Sequence, residues 1–222
     1  MSANASPRPE DTGILWPALG VARLVLLGYA VVVNALHVQD YRHPLAAGAV
    51  LGTLSTWTLV APWLYAVAAR RPRLVVTELA LAIAALLLTP WVEGAMAADP
   101  GTPTLASFWI AAPVLACAVQ WAWGGGLASA VVVGGIDLSV QAQPGGSAAG
   151  YVFLLVLTGL VAGYAAALVR AGTRERTEAA AVQAAAVERE RLARAVHDGV
   201  LQTLAYVQRR GAEIGGPAAE LA

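Results

Sequence analysis

The residues best placed to do chemistry lie in "RERLARAVHDGVLQTLAYVQRR", residues 189–210. His197 is followed directly by Asp198, and Gln202 lies a little over one helical turn further on. A neutral imidazole is a nucleophile near pH 7. An acid beside it can orient the ring and take the proton from one nitrogen while the other attacks. A phosphoryl group is the electrophile that suits such a pair, and Gln202 can position water for the reverse hydrolysis. Adjacent residues do not face each other on a helix, so the contact between His197 and Asp198 has to be lateral. A plainer reading also fits: an amphipathic coiled-coil stalk on which a surface histidine happens to lie. These residues alone leave both open.

Three further ionisable residues fall inside apolar stretches, where a charge is costly and calls for a functional explanation. Arg23 is about nine residues into the first stretch, or about 14 Å deep. Glu78 is about four residues into the third, from the same side, and either pairs with Arg23 or reaches the interface. Asp137, near the far end of the fifth stretch, is a candidate for contact with an external or membrane-borne ligand, or a solvated helix end. His37, Asp40 and His43 are evenly spaced in an irregular loop, which is not a zinc-ligand signature, and no metal site is expected. Cys117 is the single cysteine, so neither an intrachain disulfide nor a CxxC site exists. "WGGGLAS" lacks the lysine of a phosphate-binding loop.

The elements that must hold these residues are membrane helices. The 222 residues are 58% hydrophobic and 13% charged, with a mean hydropathy of +0.63. Soluble domains carry about a quarter charged residues. The N-terminal "MSANASPRPEDTG" has no basic segment and apolar core of a cleaved signal, so the first hydrophobic stretch is expected to stay. Net charge is zero and no basic patch marks a nucleic-acid binder. Six stretches approach the roughly 20 apolar residues that a crossing needs: 14–36, 45–69, 74–96, 105–123, 126–140 and 150–169. The fifth is the weakest, being short and holding Gly134, Gly135 and Asp137.

Turn-forming segments separate the stretches: "QDYRHP", "RRPR", "ADPGTP", "GGG" and "QPGGS". Arg70, Arg71 and Arg73 cluster between the second and third, and Arg170, Arg174 and Arg176 follow the sixth. Arginine-rich short loops stay in the cytoplasm, so both termini are expected there, in a multi-pass protein of the cell membrane. Trp16, Trp63, Trp91, Trp109, Trp121 and Trp123 lie near stretch ends as expected interfacial anchors, with Trp57 deeper. Pro62 and Pro113 are expected to kink their helices.

After Val169 the composition changes to Ala, Glu and Arg without proline, which predicts a cytoplasmic helix to about Arg210, frayed at Gly172 and capped at Gly211. On a helical wheel with His197 at zero, Leu192, Val196, Val200, Leu204 and Val207 fall in an apolar stripe between about 220° and 340°. Arg191, Arg194, Asp198 and Gln202 fall between about 60° and 140°. His197 sits at the edge of the stripe. Pro217 opens another helix just before the chain stops at Ala222, so a longer protein is expected.

The string "ERERLARAVHDGVLQTL", residues 188–204, resembles the dimerisation and phosphoacceptor motif of bacterial sensor histidine kinases of the nitrate-sensor-like subfamily. The hydrophobic region before it is similar to that of actinobacterial multipass sensor kinases. The resemblance implies that His197 is the phosphorylated histidine, Asp198 the acid that activates it, and Gln202 the residue tied to dephosphorylating the partner regulator. It implies an all-α protein: a six-span transmembrane bundle followed by a cytoplasmic helix of a dimeric phosphoacceptor bundle. The corresponding segments are a tail (1–13), a sensor region (14–169), a connector helix (170–187) and a partial phosphoacceptor domain (188–222). Expected partners are a second copy, a response regulator and membrane lipids. The ATP-binding domain of these kinases has no counterpart in this sequence, so no cofactor is expected on this chain, and ATP and magnesium belong to the absent domain. The alternative is a non-enzymatic six-span membrane protein, a small transporter or scaffold with a coiled-coil tail.

Overall fold

A computed structural model describes residues 15–67, 71–94, 104–141 and 146–214. Those residues are helices and turns, with no strand among them. The helices are α1 (Leu15–His37), α2 (Pro44–Val67), α3 (Arg71–Glu93), α4 (Ala111–Val140) and α5 (Gly146–Ile214), with a short 3₁₀ turn at Val38–Asp40. Pro44 and Pro72 stand in first turns, where a missing N–H costs nothing. All five helices are long and apolar enough to cross a membrane. The chain divides into two units, Met1–Ala171 and Gly172–Ala222.

In the first unit each helix buries one face at helical spacing. On α1 that face is Trp16, Leu19, Arg23, Leu27, Ala30 and Asn34. On α2 it is Ala47, Leu54, Thr58, Ala61 and Tyr65. The opposite faces expose large apolar side chains, among them Val25 at 67%, Val32 at 59% and Trp63 at 65%. Apolar surface on that scale suits hydrocarbon rather than water. One cluster of buried residues gathers Leu54, Leu86, Trp109, Val114, Val133 and Leu155. A second joins Trp16, Ala61, Tyr65, Val75 and Cys117.

The fifth sequence stretch and all but the start of the fourth lie in a single helical element that is broken at Trp121 and Ala122. Ala122 has φ 59° and ψ −154°, a conformation normally left to glycine. The chain reverses there: a Cβ on Gly125 would come within 2.7 Å of the Cys117 carbonyl oxygen, and one on Gly126 within 3.0 Å of Ala118 Cβ. Residues eight apart on a straight helix would be about 12 Å apart. The break therefore falls just before the "GGG" run, at two residues with no turn propensity of their own. Pro113 stands in the first turn of α4, and the helix continues through Pro62, so neither expected proline kink is where the path changes.

The start of the fourth stretch is not helical. Residues 105–110 form tight turns, and Leu105, Ala106, Trp109 and Ile110 are fully buried. Irregular backbone at membrane depth is tolerated only where protein groups complete its hydrogen bonds. Asn34 Nδ2 donates to the Leu105 carbonyl (3.1 Å), and the Phe108 N–H donates to Tyr151 Oη (2.9 Å). Trp109, expected at the interface, is wholly enclosed instead, its Nε1 donating to Thr58 Oγ1 (2.9 Å). Trp16 is buried too, stacked on Tyr65 at 4.5 Å.

Residues 146–171 of α5 pack on the second arm of α4 through glycine. A Cβ on Gly159 would lie 2.5 Å from the Gly126 carbonyl oxygen, and one on Gly163 2.5 Å from the Trp123 nitrogen. Glycines four apart on one face let helix backbones touch, gaining dispersion contacts where no hydrophobic effect operates. In the second unit, the helix continues through Gly172 without fraying and passes Gly211 to end at Ile214. Gly211 does not cap it.

Candidate functional site

The first polar site joins three helices. Arg23 of α1 and Glu78 of α3 form a two-point ion pair, Nε to Oε1 at 2.9 Å and an Nη to Oε2 at 2.5 Å. Tyr65 of α2 donates its hydroxyl to Glu78 Oε2 at 2.9 Å. The guanidinium also lies over the Tyr65 ring, 4.7 Å from its centre. Both charged side chains are sealed, with 1% and 0% exposure. The fork of the guanidinium matches the carboxylate geometry, which is what makes a charge pair tolerable in a low dielectric. Of the two readings of Glu78, pairing is the one observed. Tyr65 was not singled out in the sequence, since a tyrosine near a helix end reads as an anchor.

The second polar site lies where α1, α3, α4 and the turn after α3 end together. Asp137 is 1% exposed, so it is not a solvated helix end. Its Oδ1 accepts from Thr104 Oγ1 (2.8 Å) and its Oδ2 from Gln141 Nε2 (3.2 Å). Thr104 and Ser107 share a hydrogen bond of 2.9 Å. Asn34 donates to Leu105, and Tyr41 donates to Asn34 Oδ1 at 2.7 Å. Glu93, the last residue of α3, is 2% exposed, and its Oε1 has no hydrogen-bond partner. Burial pushes the Tyr41 hydroxyl pKa up to about 12, and the charges of Glu93 and Asp40 add to this. Glu93 carried no sequence signal because a glutamate at a helix end normally faces water.

The loop histidines do not meet. His37 Nδ1 bonds the Val33 carbonyl (2.8 Å), and His43 stacks on Trp91 at 4.5 Å. No group of three His, Cys, Asp or Glu side chains that could hold a metal occurs among the described residues.

At the other end of α4's first arm, Arg170 of α5 donates to the Val119 carbonyl oxygen. The break at Trp121 leaves the last carbonyls of that arm without helical donors, and an arginine there also suits the negative helix end. In the sequence Arg170 reads only as one of several arginines bordering the last apolar stretch.

In the second unit, His197 and Gln202 are exposed on α5, and the Asp198 side chain lies outside the described residues. Ion pairs Arg194–Glu190 (3.3 Å) and Arg191–Glu188 (3.9 Å) run along the same helix. Each is worth only a few tenths of a kcal/mol, about 0.3–0.5. The apolar stripe is uncovered: Leu192, Val196, Val200, Leu204 and Val207 are each more than half exposed. Arg23, Glu78 and Asp137 belong to the first unit, so the six residues singled out in the sequence fall into three places rather than one.

Neither a curated protein nor a solved structure matches the chain. One family model does, over residues 12–179, which takes in α1 to α4 and the first part of α5 and stops short of His197. The chain belongs to that family, a family of unknown function (DUF5931).

Proposed function

We propose that the chain is the membrane-sensing and phosphoacceptor part of a sensor histidine kinase. The observation that carries this reading is the string at 188–204 on a helix whose histidine is open to solvent. A phosphoacceptor has to be reached by a separate catalytic site, so exposure of His197 is a requirement of the chemistry. One imidazole nitrogen attacks the γ-phosphorus of ATP, ADP leaves, and Asp198 takes the proton from the other nitrogen. The phosphoryl group then passes to an aspartate of a response regulator, and Gln202 positions water for its removal. ATP and magnesium are assigned to a separate catalytic domain.

A second copy of the chain is the partner that the uncovered stripe on α5 calls for, because apolar side chains at that density do not stay in water. In the membrane, the two arms of α4 are read as separate crossings, giving six with both termini in the cytoplasm. Support for that topology comes from the chain reversal at Trp121–Ala122 and from the arginines that follow α2 and the membrane part of α5. The stimulus then enters from within or beside the membrane, and a shift or rotation of α5 carries it to His197.

The test is phosphate transfer onto the chain in membranes, with radiolabelled ATP and a separately expressed histidine-kinase catalytic domain. Label that is acid-labile, base-stable and lost in His197→Gln supports the reading. If no label forms with a catalytic domain that phosphorylates its own acceptor in parallel, the reading fails.

A further inference from the structure

The phosphotransfer reading makes no use of the polar nest at the end of α3. Two carboxylates are buried there, Glu93 and Asp137, at 2% and 1% exposure. Neither makes an ion pair among the described residues, although Arg23 and Glu78 show that this bundle pairs its buried charges when a partner is at hand. Arg42 lies beside the end of α3, with a Cβ on Gly94 coming within 2.9 Å of its own, yet among the described residues it forms no ion pair with either acid and its side chain is exposed.

The two acids differ in what surrounds them. Asp137 has donors on both oxygens, from Thr104 and Gln141. Glu93 Oε1 has none. The Leu105 backbone bonds the Glu93 carboxylate, but Oε1 is left without a partner. A buried polar oxygen left incomplete in this way is costly whichever protonation state the acid takes. Something outside this chain's described residues must complete it. The side-chain oxygens at hand are the carboxylates of Glu93 and Asp137 and the hydroxyls of Thr104, Ser107 and Tyr41; the amide nitrogens of Asn34 and Gln141 are hydrogen-bond donors and do not ligate cations. Among the described residues His43, the histidine nearest in sequence to Tyr41, is turned onto Trp91 instead. Oxygen-only donors select hard cations over transition metals.

We infer that Glu93 and Asp137 form the anionic wall of a binding site for one small hard cation, an alkali or alkaline-earth ion, with Glu93 Oε1 as a direct ligand. The Thr104–Ser107 turn lies beside it and bonds Asp137 directly. A cation there would tie the end of α3 to the second arm of α4.

The experiment is equilibrium binding of calcium and, separately, of sodium to the purified full chain in detergent, with choline as the control cation. Saturable binding of one of them at one ion per chain is expected. Glu93→Gln and Asp137→Asn should each weaken it at least about tenfold, as loss of a metal-site partner does. Asp40→Asn, at an exposed acid near the same end, should leave it unchanged. Thermal unfolding of every variant without added cation separates lost binding from lost fold. Should either acid variant unfold, Ser107→Ala and a cation-dependent rise in the melting temperature of the wild-type chain carry the test. Failure to bind either ion, or binding that Glu93→Gln leaves intact, overturns the site and assigns the open oxygen to water or a proton. The readout involves no phosphate, so its failure and the failure of the kinase reading are independent.

Discussion

Arg23 and Glu78 lie 55 residues apart in the chain and meet as a two-point ion pair from which solvent is excluded. The pair joins α1 to α3, and Tyr65 brings in α2 through the same carboxylate. Attraction between the charges offsets their desolvation only while both are present. Glu78→Gln should therefore cost about 3–5 kcal/mol of stability, because Arg23 stays buried without its counter-ion. The double change Arg23→Met with Glu78→Leu should recover most of that loss. Unfolding of the detergent-solubilised variants reads both; a double variant as unstable as the single one would show that the pair does more than satisfy itself.

Gly163 and Gly172 predict opposite outcomes on the same helix. A Cβ at Gly163 meets the backbone of Trp123, which cannot yield, whereas one at Gly172 meets nothing within 4 Å. Gly163→Ala should destabilise by about 1–3 kcal/mol through overpacking. Gly172→Ala should stabilise by up to about 1 kcal/mol, through helix propensity alone. Equal effects in a thermal-shift measurement would mean that α5 does not touch α4 at these glycines.

Arg170 completes a carbonyl that the chain break leaves bare. Arg170→Gln should weaken the anchoring of the first arm of α4 by about 1.5–3 kcal/mol, the range for a hydrogen bond to a charged group. Arg170→Lys keeps the charge but loses the fork and should fall between. Hydrogen exchange at the amides near Val119 would rise first, and unchanged protection there would argue against the contact.

Burial first, and then the nearby charges of Glu93 and Asp40, push the Tyr41 hydroxyl up from an ordinary 10.0 to about 12. A phenol whose pKa is raised on folding keeps its proton in the folded chain. Stability therefore holds below about pH 10 and falls as pH rises from there toward the folded value. Glu93→Gln removes one negative neighbour and should move the tyrosinate absorbance step of this residue to lower pH. A step that stays put would place Glu93 too far away to matter. Tyr41→Phe identifies which step belongs to it.

Much of this protein was decided locally and could be read from its sequence. Runs of apolar residues long enough to span hydrocarbon and the change of composition after Val169 each act through the chain's own backbone and the surrounding solvent. The helices follow from those alone. The charged string around His197 is legible for the same reason, since a helix in water shows its pattern directly. What the sequence did not contain is which side of a membrane helix faces inward. Lipid and protein core are both apolar, so hydropathy is blind to the difference, and only packing sets it. Trp109 is enclosed rather than interfacial because Thr58 stands where its indole N–H points. Asp137 is buried because Thr104, 33 residues away, reaches it from a turn. Glu93 is enclosed at a helix end that would otherwise lie in water. The reversal at Trp121–Ala122 has no proline or glycine at the break. It forms where Gly125 and Gly126 can lie against the preceding arm and where Gly159 and Gly163 bring α5 against α4, contacts that exist only once the helices are assembled.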